Sequence, residues 1–262
     1  MLVSIIIRTL NEQQHLHELL SQIKKQKKDG FEIEVVLIDS GSIDKTIEIA
    51  KSFGCRITSI EKNQFTFGRS LNMGSDFSNG DILVYISGHC IPVSDKWLAD
   101  LVKPIINGIA GYSYGRQMGR DTTKFSERRL FQKYFPNKSK IPQEGFFCNN
   151  ANSAIKRSVW FKYMFNEEIT GLEDMELSKR YYIEEGNIAY VADASVYHIH
   201  NETWKQTKTR YEREAIALQK IMPEVHVNIF DTIRYIFVAI ISDSKLAFKE
   251  GCFTKEFYEI IK

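Results

Sequence analysis

The N-terminal third of this chain alternates unbroken β-branched runs with segments of helical spacing, and that alternation limits the fold more than any other feature. Residues 2–7 are continuously apolar and rich in isoleucine, the composition of a strand buried on both faces. Asn11-Glu-Gln-Gln14 then has the form of a capping box, and Leu16, Leu19, Leu20 and Ile23 follow on one helical face. Ile33 to Ile38, Cys55 to Ile60 and Ile82 to Ile86 predict three further strands. Between them, Asp44 is placed to cap a helix carrying Ile47, Ala50 and Phe53. Gly54 stands where a helix end favours a left-handed residue, and Gly68 to Ser78 predicts a short helix. Elements in this order build βαβ units on a mostly parallel sheet with helices on both faces. Ligands of such sheets sit beyond the carboxyl ends of the strands. That rule singles out Thr9 to Glu12, Asp39 to Ser42 and Ser87 to Cys90.

Downstream the alternation weakens. Trp97 to Ile106 predicts a helix and Gly108 to Tyr114 a strand, while Gly115 to Asn152 reads as loop-rich and basic. Glu173 to Glu185 has a helical pattern that Gly186-Asn187 ends, and Ile188 to Ala192 and Ser195 to Ile199 predict two short strands. From Thr203 onward the pattern is helical, with Ile229, Ile233, Ile236, Phe237 and Ile240 on one broad face and Arg234, Lys245 and Lys249 among them. The length of 262 residues fits an α/β domain over 1–200 and a C-terminal helical extension over 201–262. That extension is expected to dock on the domain, to form a homodimer contact or to lie on a membrane surface.

Charge decides which partners to expect. Thirty-five basic and 33 acidic residues leave a formal charge of +2, which gives no reason to expect nucleic acid. The four cysteines contain no CxxC pair, so neither a disulfide framework nor a structural zinc site is expected, and a reducing cytosol fits. The N-terminus lacks the basic start of a signal peptide, and no apolar run approaches the roughly 20 residues of a membrane span.

Four groups of residues have the chemistry of a site. Asp39 opens a Gly/Ser turn after a buried strand, where a carboxylate either accepts hydrogen bonds from a ligand or shapes the turn. Ser87-Gly-His-Cys90 ends a strand with a glycine that permits close backbone approach and a histidine that is either a ligand or a structural residue. Gly171-Leu-Glu-Asp174 opens a helix, whose dipole tends to keep such carboxylates ionised; they are caps or one is a general base. His198 and His200 lie two apart on a strand and share a face, so with His89 they form a plausible divalent-cation set. Arg69, Arg116, Arg128 and Arg129 lie in or near the expected carboxyl-end loops and suit phosphate oxygens. Cys90 and Cys148 lack a triad-like pattern and read as packing residues.

Taken in order, these segments resemble the family-2 glycosyltransferases of the GT-A fold. Val3 to Glu12 resembles their first strand and loop, with Arg8 where proline is more usual, and Val35 to Thr46 resembles their second strand and Asp-Gly-Ser turn. Phe67 to Gly74, Phe147 to Ile155, Gly171 to Leu177 and Val196 to His200 resemble the segment before the metal motif and the acceptor-side, catalytic and closing segments. Gly115-Arg-Gln117 is similar to a bacterial surface-polysaccharide branch that includes rhamnosyltransferases.

The resemblance implies an inverting transfer from a nucleoside-diphosphate sugar, a UDP-sugar ahead of a dTDP-sugar, to a hydroxyl of a glycan or lipid-linked acceptor. The enzyme would be cytoplasmic or peripheral on the inner face of the plasma membrane. It implies a donor site of Thr9, Asn11, Glu12, Asp39, Ser42, Arg69, Asn72, Ser87, Gly88 and His89, with Arg116, Gln117, Asn150 and Asn152 toward the acceptor. Asp174 would be the base, with Glu173 beside it. Where the family has Asp-x-Asp this chain has Ser87-Gly-His89, a departure partly shared by the polypeptide N-acetylgalactosaminyltransferases, which use Asp-x-His with a later histidine. The implied ligands of manganese or magnesium are then His89, His198 and His200; a set without a carboxylate holds a hard cation less well, and arginines alone are the metal-free alternative. A catalytically silent nucleotide-sugar-binding partner and a nucleotidyltransferase are the rival readings. The latter lacks a Gly-rich basic loop after the first strand.

Overall fold

A computed structural model describes residues 1–200 and 202–261. The expected alternation is realised as β1 (Leu2–Thr9), α1 (Gln13–Lys24), β2 (Glu32–Asp39), α2 (Thr46–Ser52), β3 (Arg56–Ser59), α3 (Phe67–Phe77) and β4 (Ile82–Ser87). β1 to β4 pair in parallel, with β1 between β2 and β4. The register sets Thr9 opposite Asp39 and Arg8 opposite Ser87, so the three selected loops leave the sheet at one edge. Period-two packing explains the continuous apolar run of β1: Val3, Ile5 and Ile7 join one core cluster while Ile6 joins the cluster on the opposite face.

One expected local feature is corrected. Asn11-Glu-Gln-Gln14 does not form a capping box: the cap residue Glu12 makes no side-chain cap bond. Its neighbour loop caps the helix instead, since the Gln13 amide donates to Asp44 Oδ2 at 3.1 Å. Asn11, in the left-handed region at φ 57°, accepts from the Ile43 amide. The Glu12 carboxylate is thereby released from the backbone for other partners.

The second half contains more regular structure than its sequence suggests. After β5 (Cys90–Pro92) and α4 (Trp97–Ile106) come β6 (Tyr112–Met118), α5 (Phe125–Tyr134), β7 (Asn152–Lys156) and α6 (Arg157–Tyr163). The stretch read as loops from 115 to 152 thus holds the end of β6 and all of α5. Next are α7 (Glu173–Ile183) and β8 (Ile188–His198), and the two short strands expected there are halves of β8. Its pairing with β6 shifts register between Gly115 and Gln117, which breaks the sequence pattern. Gly115 lets the shift happen, because a Cβ there would lie 2.1 Å from the Ala194 carbonyl. The eight strands run β3-β2-β1-β4-β7-β6-β8-β5, and β7 and β5 join antiparallel, so the sheet is mixed rather than uniformly parallel.

The C-terminal helices are α8 (Trp204–Ile221), α9 (Ile229–Lys249) and α10 (Phe253–Ile261). Phe125 of α5 packs with Ala247 and Ile260, and Arg129 pairs with Asp243 at 3.1 Å, so the end of α9 docks on the domain. Its beginning does not: Phe230 is 79% exposed and Phe237 60%. Among the described residues no helix is long and apolar enough to cross a membrane.

Candidate active site

A cleft of about 820 Å³ opens over the carboxyl ends of β1 and β4. Thr9, Asn11, Glu12, Ser87 and His89 enter it from the strand-end loops, Asn150 from the loop before β7, and Glu173 and Asp174 from the start of α7. A fourth wall comes from outside the expected domain: Gln206, Arg210, Arg213 and Glu214 of α8 line the same cleft. Sequence reasoning placed nothing there, since the charged face of α8 reads as an ordinary solvated helix.

Three histidines meet in this cleft. One ring nitrogen each from His89, His198 and His200 lies within 4.8 Å of the others. Every Nδ1 is already engaged: that of His89 with Glu12 Oε1 at 2.8 Å, that of His198 with Gln117 Oε1 at 2.7 Å, and that of His200 with Glu127 Oε1. These partners are acceptors, so each ring donates from Nδ1 and leaves Nε2 as the atom for a ligand. For His198 the arrangement is traceable to the backbone. The Ala151 amide and Gln117 Nε2 both donate to Asn149 Oδ1, which turns Gln117 Oε1 toward the imidazole. Burial, and then the neighbouring His200 and His89, hold His198 well below the usual histidine range, so it stays neutral. Three imidazoles with acceptors behind them fit a divalent cation. The donor set suits imidazole-preferring ions and, with ligand oxygens added, manganese; it is poor for magnesium.

Gly88 sets the distance between these parts. A Cβ on it would lie 2.7 Å from Glu12 Cγ, so only glycine lets Glu12 reach His89. Ser87 lines the cleft beside it.

Opposite the histidines, Leu172 takes a left-handed conformation at φ 56° and starts α7 with two buried carboxyl groups. Asp174 Oδ2 accepts from the Asn150 amide at 2.7 Å and Oδ1 from the Met175 amide at 2.8 Å. The helix start was expected to keep Asp174 ionised. Burial outweighs it: with the charge of Glu173 it pushes the carboxyl up to about 7, against the two amides and Arg8. A carboxyl group at that value exchanges its proton at neutral pH. Arg8, noticed only as a departure from proline, bonds Glu173 at 3.4 Å and lies 4.9 Å from the Phe67 ring centre.

Several expected site residues are bonded within the frame. Asp39 accepts four hydrogen bonds, from the hydroxyls of Thr9 and Ser42 and the amides of Gly41 and Ser42, and so shapes its turn. Ser42 also accepts from the Asn11 amide. Asn72 stays buried among Trp160, Phe165 and Glu167, and Asn152 bonds Trp97, Arg116 and Ala194; both amides are used inside the fold and neither reaches the cleft wall. Arg69 is held by Glu167 at 2.7 Å, and Arg116 also lies off the cleft wall. Gln117 lies behind His198 rather than in the cleft. Cys90 and Cys148 are buried with thiols pushed far up, which suits packing and not nucleophilic attack.

The profile of glycosyl transferase family 2 matches residues 4–162, more than half of the sequence. The chain belongs to that family. Its mixed α/β fold is the GT-A architecture expected from the sequence. The poly(ribitol-phosphate) beta-N-acetylglucosaminyltransferase TarS of Staphylococcus aureus is 21% identical over 257 residues, covering 91% of this chain and 40% of the relative. This chain therefore spans two fifths of TarS. The O-antigen chain rhamnosyltransferase RfbN of Salmonella typhimurium is 25% identical over 223 residues, covering 80% of this chain and 70% of RfbN. Among solved structures, the mannosyltransferase PcManGT of Pyrobaculum calidifontis, in complex with GDP-Man and Mn2+, superposes with a TM-score of 0.66 at 18% identity, covering 85% of this chain and 63% of its own. TarS in complex with UDP-GlcNAc gives 0.61 at 17% identity, covering 91% and 71%. The family match removes the nucleotidyltransferase reading.

Proposed function

We propose that this chain is an inverting glycosyltransferase of bacterial surface-polysaccharide synthesis, moving a hexose or deoxyhexose from a nucleoside-diphosphate sugar to a hydroxyl of a glycan or lipid-linked glycan. The observation that carries the reading is Asp174: a buried carboxyl group, poised near neutral pH, across one cleft from three histidines with free Nε2 atoms. UDP-sugars are the favoured donors, supported by the UDP-GlcNAc complex of TarS.

In this mechanism Asp174 takes the acceptor proton as the hydroxyl oxygen attacks the anomeric carbon from the side opposite the leaving group. The bond from that carbon to the diphosphate oxygen breaks, and the nucleoside diphosphate leaves. Glu173, tied to Arg8, fixes the start of α7 and so the direction of Asp174. The Asn150 and Met175 amides each hold one oxygen of Asp174, which fixes the carboxyl group and leaves its remaining lone pairs to the acceptor hydroxyl. Thr9, Asn11, Glu12 and Ser87 form the donor wall. His89, His198 and His200 would hold a divalent cation, which supplies positive charge to the departing diphosphate.

Residues 1–200 constitute the catalytic domain in this reading, and the helical extension adds the α8 wall. The exposed start of α9 contacts a lipid surface on the cytoplasmic side. Ile229, Ile233, Ile236 and Phe237 supply the apolar side, and Arg234 the charge for anionic headgroups.

The test is Asp174→Asn. Transfer should fall by about 100- to 10,000-fold, the span of general-base contributions, while nucleotide affinity is unchanged. Retained turnover removes Asp174 as the base. A wild-type protein that binds donor but never transfers or hydrolyses it is a nucleotide-sugar-binding partner instead.

A further inference from the structure

Arg213 lies on α8, beyond the 4–162 segment that the family profile matches. Its guanidinium carbon is 5.0 Å from the centre of the Phe67 ring, the same ring that Arg8 approaches at 4.9 Å. Both arginines and Phe67 line the cleft. Two like charges on one ring repel unless an anion joins them. Arg8 has a weak counter-ion in Glu173, through one nitrogen at 3.4 Å. Arg213 has no ion pair within 4.0 Å among the described residues, and only the charge of Glu214 is felt from nearby. Its neighbour Glu214 points to Arg210 at 3.7 Å, and Glu202 is also taken by Arg210 at 2.9 Å. The Arg213 Nε is shielded from solvent without a hydrogen-bond partner. The main chain of Arg213 is fixed, because Thr170 donates to its carbonyl at 3.1 Å from the loop before α7. Arg213 is thus anchored through its main chain, with its guanidinium over the Phe67 ring and its Nε short of an acceptor, on the side of the cleft where α7 begins.

We propose that Arg8 and Arg213, positioned by Phe67, form a clamp for a phosphoryl group of the substrates. Guanidinium forks match phosphate oxygens in geometry and charge, and an aromatic platform limits their freedom before the ligand arrives. The phosphoryl group has two sources: the diphosphate of the donor, or a phosphate carried by the acceptor. The clamp deepens the glycosyltransferase reading by naming a charged group that the cleft selects, and it rests on that reading for the identity of the substrates.

The experiment uses the full chain, wild type against Arg213→Ala and Arg213→Lys, with UDP, uridine and glycerol 3-phosphate titrated by calorimetry at fixed ionic strength. Melting temperatures confirm that the variants fold. With the clamp in place, Arg213→Ala weakens a phosphorylated probe at least tenfold, leaves uridine unchanged, and Arg213→Lys recovers part of the loss. Loss confined to UDP assigns the clamp to the donor diphosphate. Loss confined to glycerol 3-phosphate, measured with UDP present, assigns it to an acceptor phosphate. Equal affinities of wild type and Arg213→Ala for both phosphorylated probes overturn the clamp, as does a wild type that binds neither. If the wild type fails to bind UDP but holds glycerol 3-phosphate through Arg213, the clamp stands and the donor reading falls.

Discussion

Asp174 shows how one side chain carries opposing demands. Its carboxyl is pushed up to about 7 by burial and by Glu173, so below neutrality it is protonated and cannot accept the acceptor's proton. We expect kcat/KM to fall about tenfold per pH unit on the acid side of about pH 7, a limb readable from initial rates. Stability moves the other way. The folded value lies above the ordinary 3.8, so the neutral form favours folding at low pH, and that contribution is lost between pH 4 and 7 as the group ionises. Asp174→Asn should therefore melt higher than wild type at pH 8 and equal to it at pH 4. The sequence made this pair visible, because two carboxylates after Gly171-Leu172 are a local signal. The direction of the shift was not visible: a helix start is local, whereas burial comes from residues far along the chain. The partners of Asn72 and Asn152 were not visible for the same reason, since Asn72 is tied to Phe165, 93 residues away, and Asn152 to Ala194, 42 away.

At the scale of elements, strand ends and turns were legible because a strand of β-branched residues and a Gly/Ser turn each announce themselves within a few positions. β7, α5 and the single long β8 were not, since β7 is short and the register shift interrupts the pattern of β8. Two of these pieces, α5 and β8, help to build the histidine group. α5 supplies Glu127 behind His200, and β6 supplies Gln117 behind His198 on β8. Gln117→Ala frees the His198 ring without removing a ligand. Its manganese or cobalt affinity, measured by calorimetry, should drop by about 10- to 100-fold, the usual effect of losing an outer partner. His198→Ala should drop it further. If Gln117→Ala binds as wild type does, the outer hydrogen bond does not orient the ring.

For the molecule as a whole, the α/β part closes two core layers, while the start of α9 leaves large apolar side chains in water. A patch of that kind marks a contact surface. Replacing Phe230 and Phe237 together with Asp should abolish sedimentation with anionic vesicles and leave the melting temperature within about 2 °C, because both side chains are exposed. Unchanged vesicle binding, or a switch from dimer to monomer in its place, would reassign α9 to a protein contact.

The cleft draws its walls from two kinds of element. Strand-end loops and the start of α7 are bound into the sheet, where a change of register disturbs many neighbours at once. The α8 wall is a surface helix tied to the rest by few bonds, Thr170 to Arg213 among them. Variation is therefore cheap on one side of the cleft and costly on the other. A substitution that reshapes the α8 wall leaves the strand-end loops and their register in place.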